Sequence, residues 1–328
     1  MAVHADLKLV RHGEDGVDLA FRADVLRGLA EPQKAIPARW LYDPAGSELF
    51  DRITDLPEYY PTRTETALLE CCGPAIAAAV GPGRVVVEFG SGSSVKTPLL
   101  LREVQPAAYV PIDISAAFLH QASAALAARF SDLPILPVEA DFMKPVRLPD
   151  LVAGQAMLGF FPGSTIGNMV PRTAVDLLRS MRETLGEGAR LVIGIDRMKD
   201  VARLQAAYDD RQGVTARFNL NLLDRINREL GGDIPVARFR HVARWNPLWS
   251  RIEMHLQVMA DVQFTVADTS FAMREGETIH TENSHKYTPG QARFLLQAGG
   301  WTPATQWTDP QDDFLILLAD ASEYRSAP

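Results

Sequence analysis

RVVVEFGSGSSVKTPLLLREV, residues 84–104, reads as a strand, a glycine-rich turn and a helix in immediate succession. The β-branched run stops at Gly90, and helical spacing resumes beyond Ser94. The same alternation extends on both sides. Residues 64–80 have helical spacing and end at Gly81-Pro82, 108–115 read as a second strand, and 116–130 as an amphipathic helix. A third strand is expected over 133–142, a fourth over 154–168 ending in a loop, and a fifth over 190–198, after a helix at 172–188. Short apolar strands alternating with helices imply a parallel sheet with right-handed crossovers.

Two further strands, 301–310 and 312–320, follow a helix at 288–300. A closing antiparallel hairpin on a mostly parallel, seven-stranded, Rossmann-like sheet is the ending expected of a class I methyltransferase fold. About 85 residues separate the fifth strand from the last helix, where a crossover needs only about a dozen or more. The insertion holds a helix at 219–232 and alternating runs over 249–266 that read as antiparallel strands. The expected division is therefore 63–199 with 286–328 as the α/β domain, and 1–62 with 200–285 as a smaller, discontinuous α+β domain. In the N-terminal part a helix is expected near Asp18–Leu29, and Pro57 and Pro61 point to an extended or turn path through Tyr59 and Tyr60.

The 328 residues carry 33 Lys+Arg against 41 Asp+Glu, a net charge of −8. That balance argues against a nucleic-acid or anionic-membrane surface. Arg238, Arg240, Arg244 and Arg251 read as a solvated face. The start, MAVHADLKLVRHGEDG, lacks the apolar core of a secretory signal, and the apolar stretch Leu151–Phe161 is too short to cross a bilayer. A soluble cytoplasmic protein is expected, a monomer or weak homo-oligomer with a small-molecule substrate. The adjacent Cys71 and Cys72 read as buried thiols of a reducing compartment.

Chemistry concentrates at the strand ends. Gly90 and Gly92 allow a tight turn and close backbone approach to a ligand. A dinucleotide site would want a third glycine where Val95 stands, and a P-loop would need a glycine that Lys96-Thr97 lacks. Val95 leaves a nicotinamide oxidoreductase as a weaker reading, and a non-enzymatic cofactor-binding module is weaker because both a cofactor and a substrate pocket read as complete. The acidic Glu88 suits S-adenosylmethionine, which has a cationic methionyl end and no phosphate. Asp113, about 20 residues beyond the glycines, has the spacing of an acid that grips ribose hydroxyls. Asp141 can accept from an adenine amino group, and Phe142 can pack on its ring. Asp196, ending the fifth strand, is open between a binding residue and a helix cap; Met254 reads as core.

The segments LYDPAGSELFDRITDLPEYYPTRTE (41–65), EFGSGSSVKT (88–97), FFPGSTIGN (160–168) and TENSHKY (281–287) together resemble one family. They are similar to the L-histidine Nα-methyltransferases of ergothioneine biosynthesis, which trimethylate histidine to hercynine. The likeness spans nearly the whole chain. It implies that Gly90 and Lys96 join Asp113, Asp141 and Phe142 around S-adenosylmethionine. It also implies that Asn168 holds the amino acid's α-amino and carboxylate ends, Tyr208 binds the carboxylate, and Tyr42 lies near the amine. Tyr59, Glu282 and Ser284 would surround the imidazole. Asn168 and Tyr42 are thus the groups nearest the chemistry. The same fold acting on another amino acid or amine is the alternative. Without the resemblance, Glu282 and Ser284 read as an exposed polar strand face, since residues two apart on a strand point the same way. His280-x-Glu282-x-x-His285 lacks the helical spacing of a zinc motif, so no metal is expected.

Overall fold

The computed structural model describes residues 16–92 and 96–321. The reading of the first 15 residues and of Val95 at the third glycine position lies outside them. In chain order the elements begin with α1 (Leu19–Ala30), β1 (Lys34–Ala35), α2 (Pro44–Thr54), α3 (Tyr60–Val80) and β2 (Val85–Phe89). Next come α4 (Thr97–Val104), β3 (Ala108–Asp113), α5 (Ala116–Arg129), β4 (Val138–Glu139), β5 (Met157–Phe161), α6 (Pro171–Leu185) and β6 (Arg190–Asp196). Then follow α7 (Val201–Tyr208), α8 (Val214–Leu230), β7 (Phe239–Asn246), β8 (Arg251–Val258), β9 (Val262–Val266) and β10 (Thr269–Met273). β11 (Thr278–His285), α9 (Pro289–Ala298), β12 (Trp301–Thr308) and β13 (Phe314–Ala321) complete the chain.

These elements form two compact units. One comprises the residues to Tyr60 with Lys199–His285, the other Pro61–Met198 with the residues from Lys286. The second unit is built on a seven-stranded sheet ordered β12-β13-β6-β5-β2-β3-β4, in which only β13 runs against its neighbours. Strands covered on both faces need apolar side chains on both. Val85, Val86 and Val87 accordingly have no exposed surface, each such burial contributing about 1.5–3 kcal/mol. β4 keeps only Val138–Glu139 of the ten residues expected as a strand, because Pro134 and Pro137 cannot donate to a ladder.

The other unit has a four-stranded sheet, β1-β11-β8-β7, and a separate β9–β10 hairpin. β8 and β9, read as neighbours, therefore pair with different strands. The inner sheet face packs with α1, α2 and α8 in one apolar cluster. α8 begins at Val214, earlier than its periodicity suggested, because Asp210 accepts the N–H groups of Val214 (3.0 Å) and Thr215 (2.7 Å). Those hydrogen bonds outweigh the effect of burial and hold the Asp210 carboxyl below its ordinary value. The path through 57–61 also differs: Leu56, Pro57 and Glu58 bend, but Tyr60 already opens α3. Pro61 fits there because the first helical turn has no use for its missing N–H.

Cys71 is exposed and only Cys72 is buried, since consecutive helix positions point about 100° apart. Burial, then the neighbouring Cys71 thiol, pushes Cys72 up to about 12. A thiol-reactive chromogenic disulfide should therefore label one cysteine in the native protein and the second only after unfolding. Rapid labelling of both in native buffer would contradict this arrangement.

Candidate active site

In the sheet unit, the turn after β2 is shaped by Gly90 at φ +74° and Gly92 at φ +42°. Both values lie in the left-handed region that favours glycine. A Cβ on Gly90 would stand 3.4 Å from the Phe142 ring, which packs edge-on against Phe89 and Phe161. Asp113, at the end of β3, accepts from Gly92 N (3.1 Å) and Ser115 N (2.9 Å). An ionised carboxylate offers about four acceptor sites, so further donors can still be met there. Asp141 takes the Met143 N–H at 3.0 Å. Asn168 is half-buried at the end of a 3-10 turn, Thr165–Asn168, that follows β5.

Two residues of this group are engaged differently from expectation. Glu88 is fully buried, and its Oε2 accepts from Thr97 Oγ1 (2.7 Å) and Tyr109 OH (2.6 Å). Burial, then the Glu88 charge, raises the Tyr109 phenol well above its ordinary value. Glu88 thus ties the start of α4 to β2 and β3. Lys96 is ion-paired with Glu65 of α3, which also accepts the Gly163 N–H at 2.8 and 3.0 Å. Glu65 fits because residue 194 is glycine: a Cβ there would lie 1.9 Å from its Oε1. The only lysine in this turn region among the described residues is thereby neutralised. A carboxylate at the end of β3, another just beyond β4, a bare glycine turn and an aromatic ring match a nucleoside with free hydroxyls and a cationic end better than a pyrophosphate.

The other unit gathers Tyr42, Tyr59, Tyr208, Glu282 and Ser284. Tyr42 donates to Glu282 Oε1 at 3.3 Å, and the hydroxyls of Tyr208 and Ser284 are 2.6 Å apart. Glu282 and Ser284 are 7% and 4% exposed, so they do not form a solvated strand face. Around them, Phe50 packs against Tyr42, Tyr59 and Phe218, and Tyr59 against Tyr208. Met254 is core, as read, and pairs with Glu282 in register. Burial, then the Glu282 charge, raises the Tyr42 phenol well above its ordinary value. Tyr42 therefore stays a proton donor at neutral pH, and its contact is with Glu282, the carboxylate assigned by resemblance to the imidazole. Phe50, Phe218 and Glu65 were missed. Phe50 and Glu65 lie inside the quoted 41–65 segment, and Phe218 lies one residue before the helix as read.

The opposite face of β8 and β11 carries a polar cluster. The His255 and His280 rings stack with centroids 4.7 Å apart and planes at 18°. Burial would raise Glu253, but hydrogen bonds from Arg251, Asn246 and His255 bring it down to about 2. Burial, then the charge on His280, lowers His255 from 6.5 to about 4 against the pull of Glu253. Between those values the unfolded chain binds a proton that the folded ring refuses. Stability should therefore be full above pH 6.5 and decline as the pH falls toward about 4. His255→Phe should flatten the decline in denaturation midpoints over that window; an unchanged slope would count against it. Arg251 is largely covered through Glu253, whereas Arg238, Arg240 and Arg244 are exposed, as a solvated face requires.

Asp196, open in the sequence between a binding residue and a helix cap, forms a fully buried ion pair with Lys286, Oδ2 to Nζ 2.6 Å. The cap of α7 is Asp200, which accepts from Arg203 N. Among the described residues, no group of three or more His, Cys, Asp or Glu could hold a metal ion. No helix among them is long and apolar enough to cross a membrane.

Comparison with known proteins places this geometry in a family. Residues 21–321 match the model described as histidine-specific methyltransferase, SAM-dependent. A histidine N-alpha-methyltransferase of Mycolicibacterium smegmatis is 40% identical over 93% of this chain and 96% of its own length. Its namesake from Mycobacterium tuberculosis is 41% identical over 94% and 97% respectively. Among solved structures, the CcbJ methyltransferase from Streptomyces caelestis is similar in fold, with a TM-score of 0.50 at 14% identity, covering 86% of this chain and all of that one. The chain belongs to the S-adenosylmethionine-dependent, histidine-specific methyltransferases.

Proposed function

We propose that the protein transfers methyl groups from S-adenosylmethionine to the α-amine of L-histidine, three times in succession, giving hercynine for ergothioneine biosynthesis. One observation carries the substrate: a buried carboxylate and a buried hydroxyl, Glu282 and Ser284, share one strand face among aromatic side chains. Glu282 accepts from one ring nitrogen, and Ser284, relayed by Tyr208, meets the other. An aliphatic side chain would leave both groups unpaired, which selects against it.

When bound, S-adenosylmethionine supplies an electrophilic methyl group. In the sheet unit, Asp113 receives the ribose hydroxyls, Asp141 and Phe142 hold the adenine, and the Gly90–Gly92 turn leaves the backbone open to the ligand. Lys96 acts through Glu65, fixing the Gly163 turn before Asn168. Asn168 orients the amino acid's polar ends. A free α-amine titrates near 8, so a substantial fraction is neutral without a strong base. Tyr42, held protonated, keeps Glu282 oriented instead of removing the proton.

The test is direct. Purified protein with labelled S-adenosylmethionine and each of the twenty amino acids should yield products heavier by one, two and three methyl groups from histidine. Absence of methylated histidine above background would overturn the reading, and preference for another amino acid would redirect it.

A further inference from the structure

β11 changes faces part-way along its length. Ile279 pairs with Leu256, and His280 with His255; Glu282 then pairs with Met254, the next residue of β8. Two steps on β11 are thus matched by one on β8, and Thr281 is the extra residue. Strict alternation would keep residues 278, 280, 282 and 284 on one face. Instead Thr278 and His280 stand with Gln257 and His255, while Glu282 and Ser284 stand with Met254 and Ile252. Without the bulge, Thr281, Asn283 and His285 would take the inner face, because a one-residue slip reverses every side chain.

Two contacts hold this irregularity. Thr281, 2% exposed, donates from Oγ1 to the Met254 carbonyl at 3.0 Å. On the other face, His280 Nε2 lies 3.1 Å from the Glu282 carbonyl, and a carbonyl partner requires that nitrogen to carry the proton. The His280 ring is itself fixed by its stack on His255. Both side chains therefore bond main-chain carbonyls on either side of the step, one opposite Glu282 and one belonging to it.

We propose that Thr281 and His280 are positioning residues for imidazole recognition, holding the bulge that turns Glu282 and Ser284 toward Tyr42 and Tyr208. The inference rests on the reading of Glu282 and Ser284 as imidazole ligands. Neither residue touches substrate; each acts through the direction in which β11 presents those two side chains.

The experiment compares wild type with Thr281→Val, Thr281→Ser and His280→Phe. Steady-state kinetics with L-histidine at saturating S-adenosylmethionine run beside calorimetric affinity for S-adenosylhomocysteine. Thr281→Val, nearly isosteric, should raise KM for histidine about tenfold, as loss of one buried hydrogen bond implies, with kcat and S-adenosylhomocysteine affinity within twofold. Thr281→Ser should restore KM. His280→Phe, which keeps a stacking ring and loses the donor, should raise KM in the same direction. In a Glu282→Ala background, Thr281→Val should add little, since its effect passes through Glu282. Unmoved KM in both Thr281→Val and His280→Phe, or full additivity with Glu282→Ala, would overturn the proposal while histidine methylation by the wild type stands. A wild type that does not methylate histidine overturns the functional reading and the proposal with it. Should Thr281→Val fail to fold, His280→Phe and Thr281→Ser carry the same comparison.

Discussion

Glu282→Ala should weaken L-histidine binding by two to three orders of magnitude and leave S-adenosylmethionine affinity within twofold. The size follows from burial. A hydrogen bond to a charged group contributes about 1.5–3 kcal/mol, and leaving its partner desolvated and unpaired adds about 1–3 kcal/mol. Together these span about 2.5–6 kcal/mol, and the lower half of that span, about 3–4 kcal/mol, is roughly a hundred- to a thousandfold. The Glu282 side chain is 7% exposed, so water cannot replace the missing acceptor cheaply. Tyr42 loses the same acceptor, but free and bound protein share that cost, so it falls on stability and not on affinity. Glu282→Gln keeps an acceptor oxygen but not the charge, so a loss of about tenfold is expected. The cofactor side should be unmoved, because Gly90, Gly92, Asp113 and Asp141 belong to the other unit. Calorimetry with each ligand separates the two affinities. Equal loss of both would place the imidazole elsewhere.

How much of this was legible depends on where each feature originates. The sheet could be read because β2, β5 and β6 are covered on both faces and so appear as unbroken apolar runs. The closing hairpin was legible for the same reason: β13 is buried from Phe314 to Ala319. α2 was not, since its pattern starts at a proline and includes Gly46, whose missing side chain admits the Leu41 carbonyl 1.8 Å from where a Cβ would be. α7, at eight residues, is too short to establish a period. Asp113 could be placed because the end of β3 is marked by the apolar run before it, whereas Asp141, read as ending a strand, lies two residues beyond β4. The partners of Glu88 could not, since Thr97 and Tyr109 reach it from α4 and β3. The shared face of Glu282 and Ser284 followed from alternation, but the face they share did not. That depends on an extra residue opposite β8, and pairing register is a property of two strands together.

The buried pair Asp196–Lys286 calls for a second large effect. Lys286 is the first residue of the chain's return to the sheet unit, and Asp196 ends β6. The Lys286 and Asp196 side chains are 0% and 1% exposed, so neither charge has water to fall back on. Lys286→Met should destabilise the protein by about 3–5 kcal/mol, because removing one partner leaves the other charge in the interior without its cation. A buried carboxylate that loses its cation favours its neutral form. The variant's deficit should then be smallest in acid and grow as the pH rises. Asp196→Asn combined with Lys286→Met should recover most of the loss, since a neutral amide can still accept the Arg197 N–H that Oδ1 now takes at 3.0 Å. Denaturant unfolding of the single and double variants at pH 5 and pH 8 tests both statements. A single variant within 1 kcal/mol of wild type at pH 8 would mean that the charge is relieved by solvent or by a partner other than Lys286. The carbonyl of Asp196 also accepts Tyr287 N at 3.1 Å, and Met198 N donates to the Tyr287 carbonyl at 3.2 Å. The pair therefore sits beside the short main-chain ladder between the segment that leaves β6 and the one that returns from β11. Removing the cation there should loosen this ladder first, so exchange protection of the Tyr287 and Met198 amides should fall in Lys286→Met before that of β6.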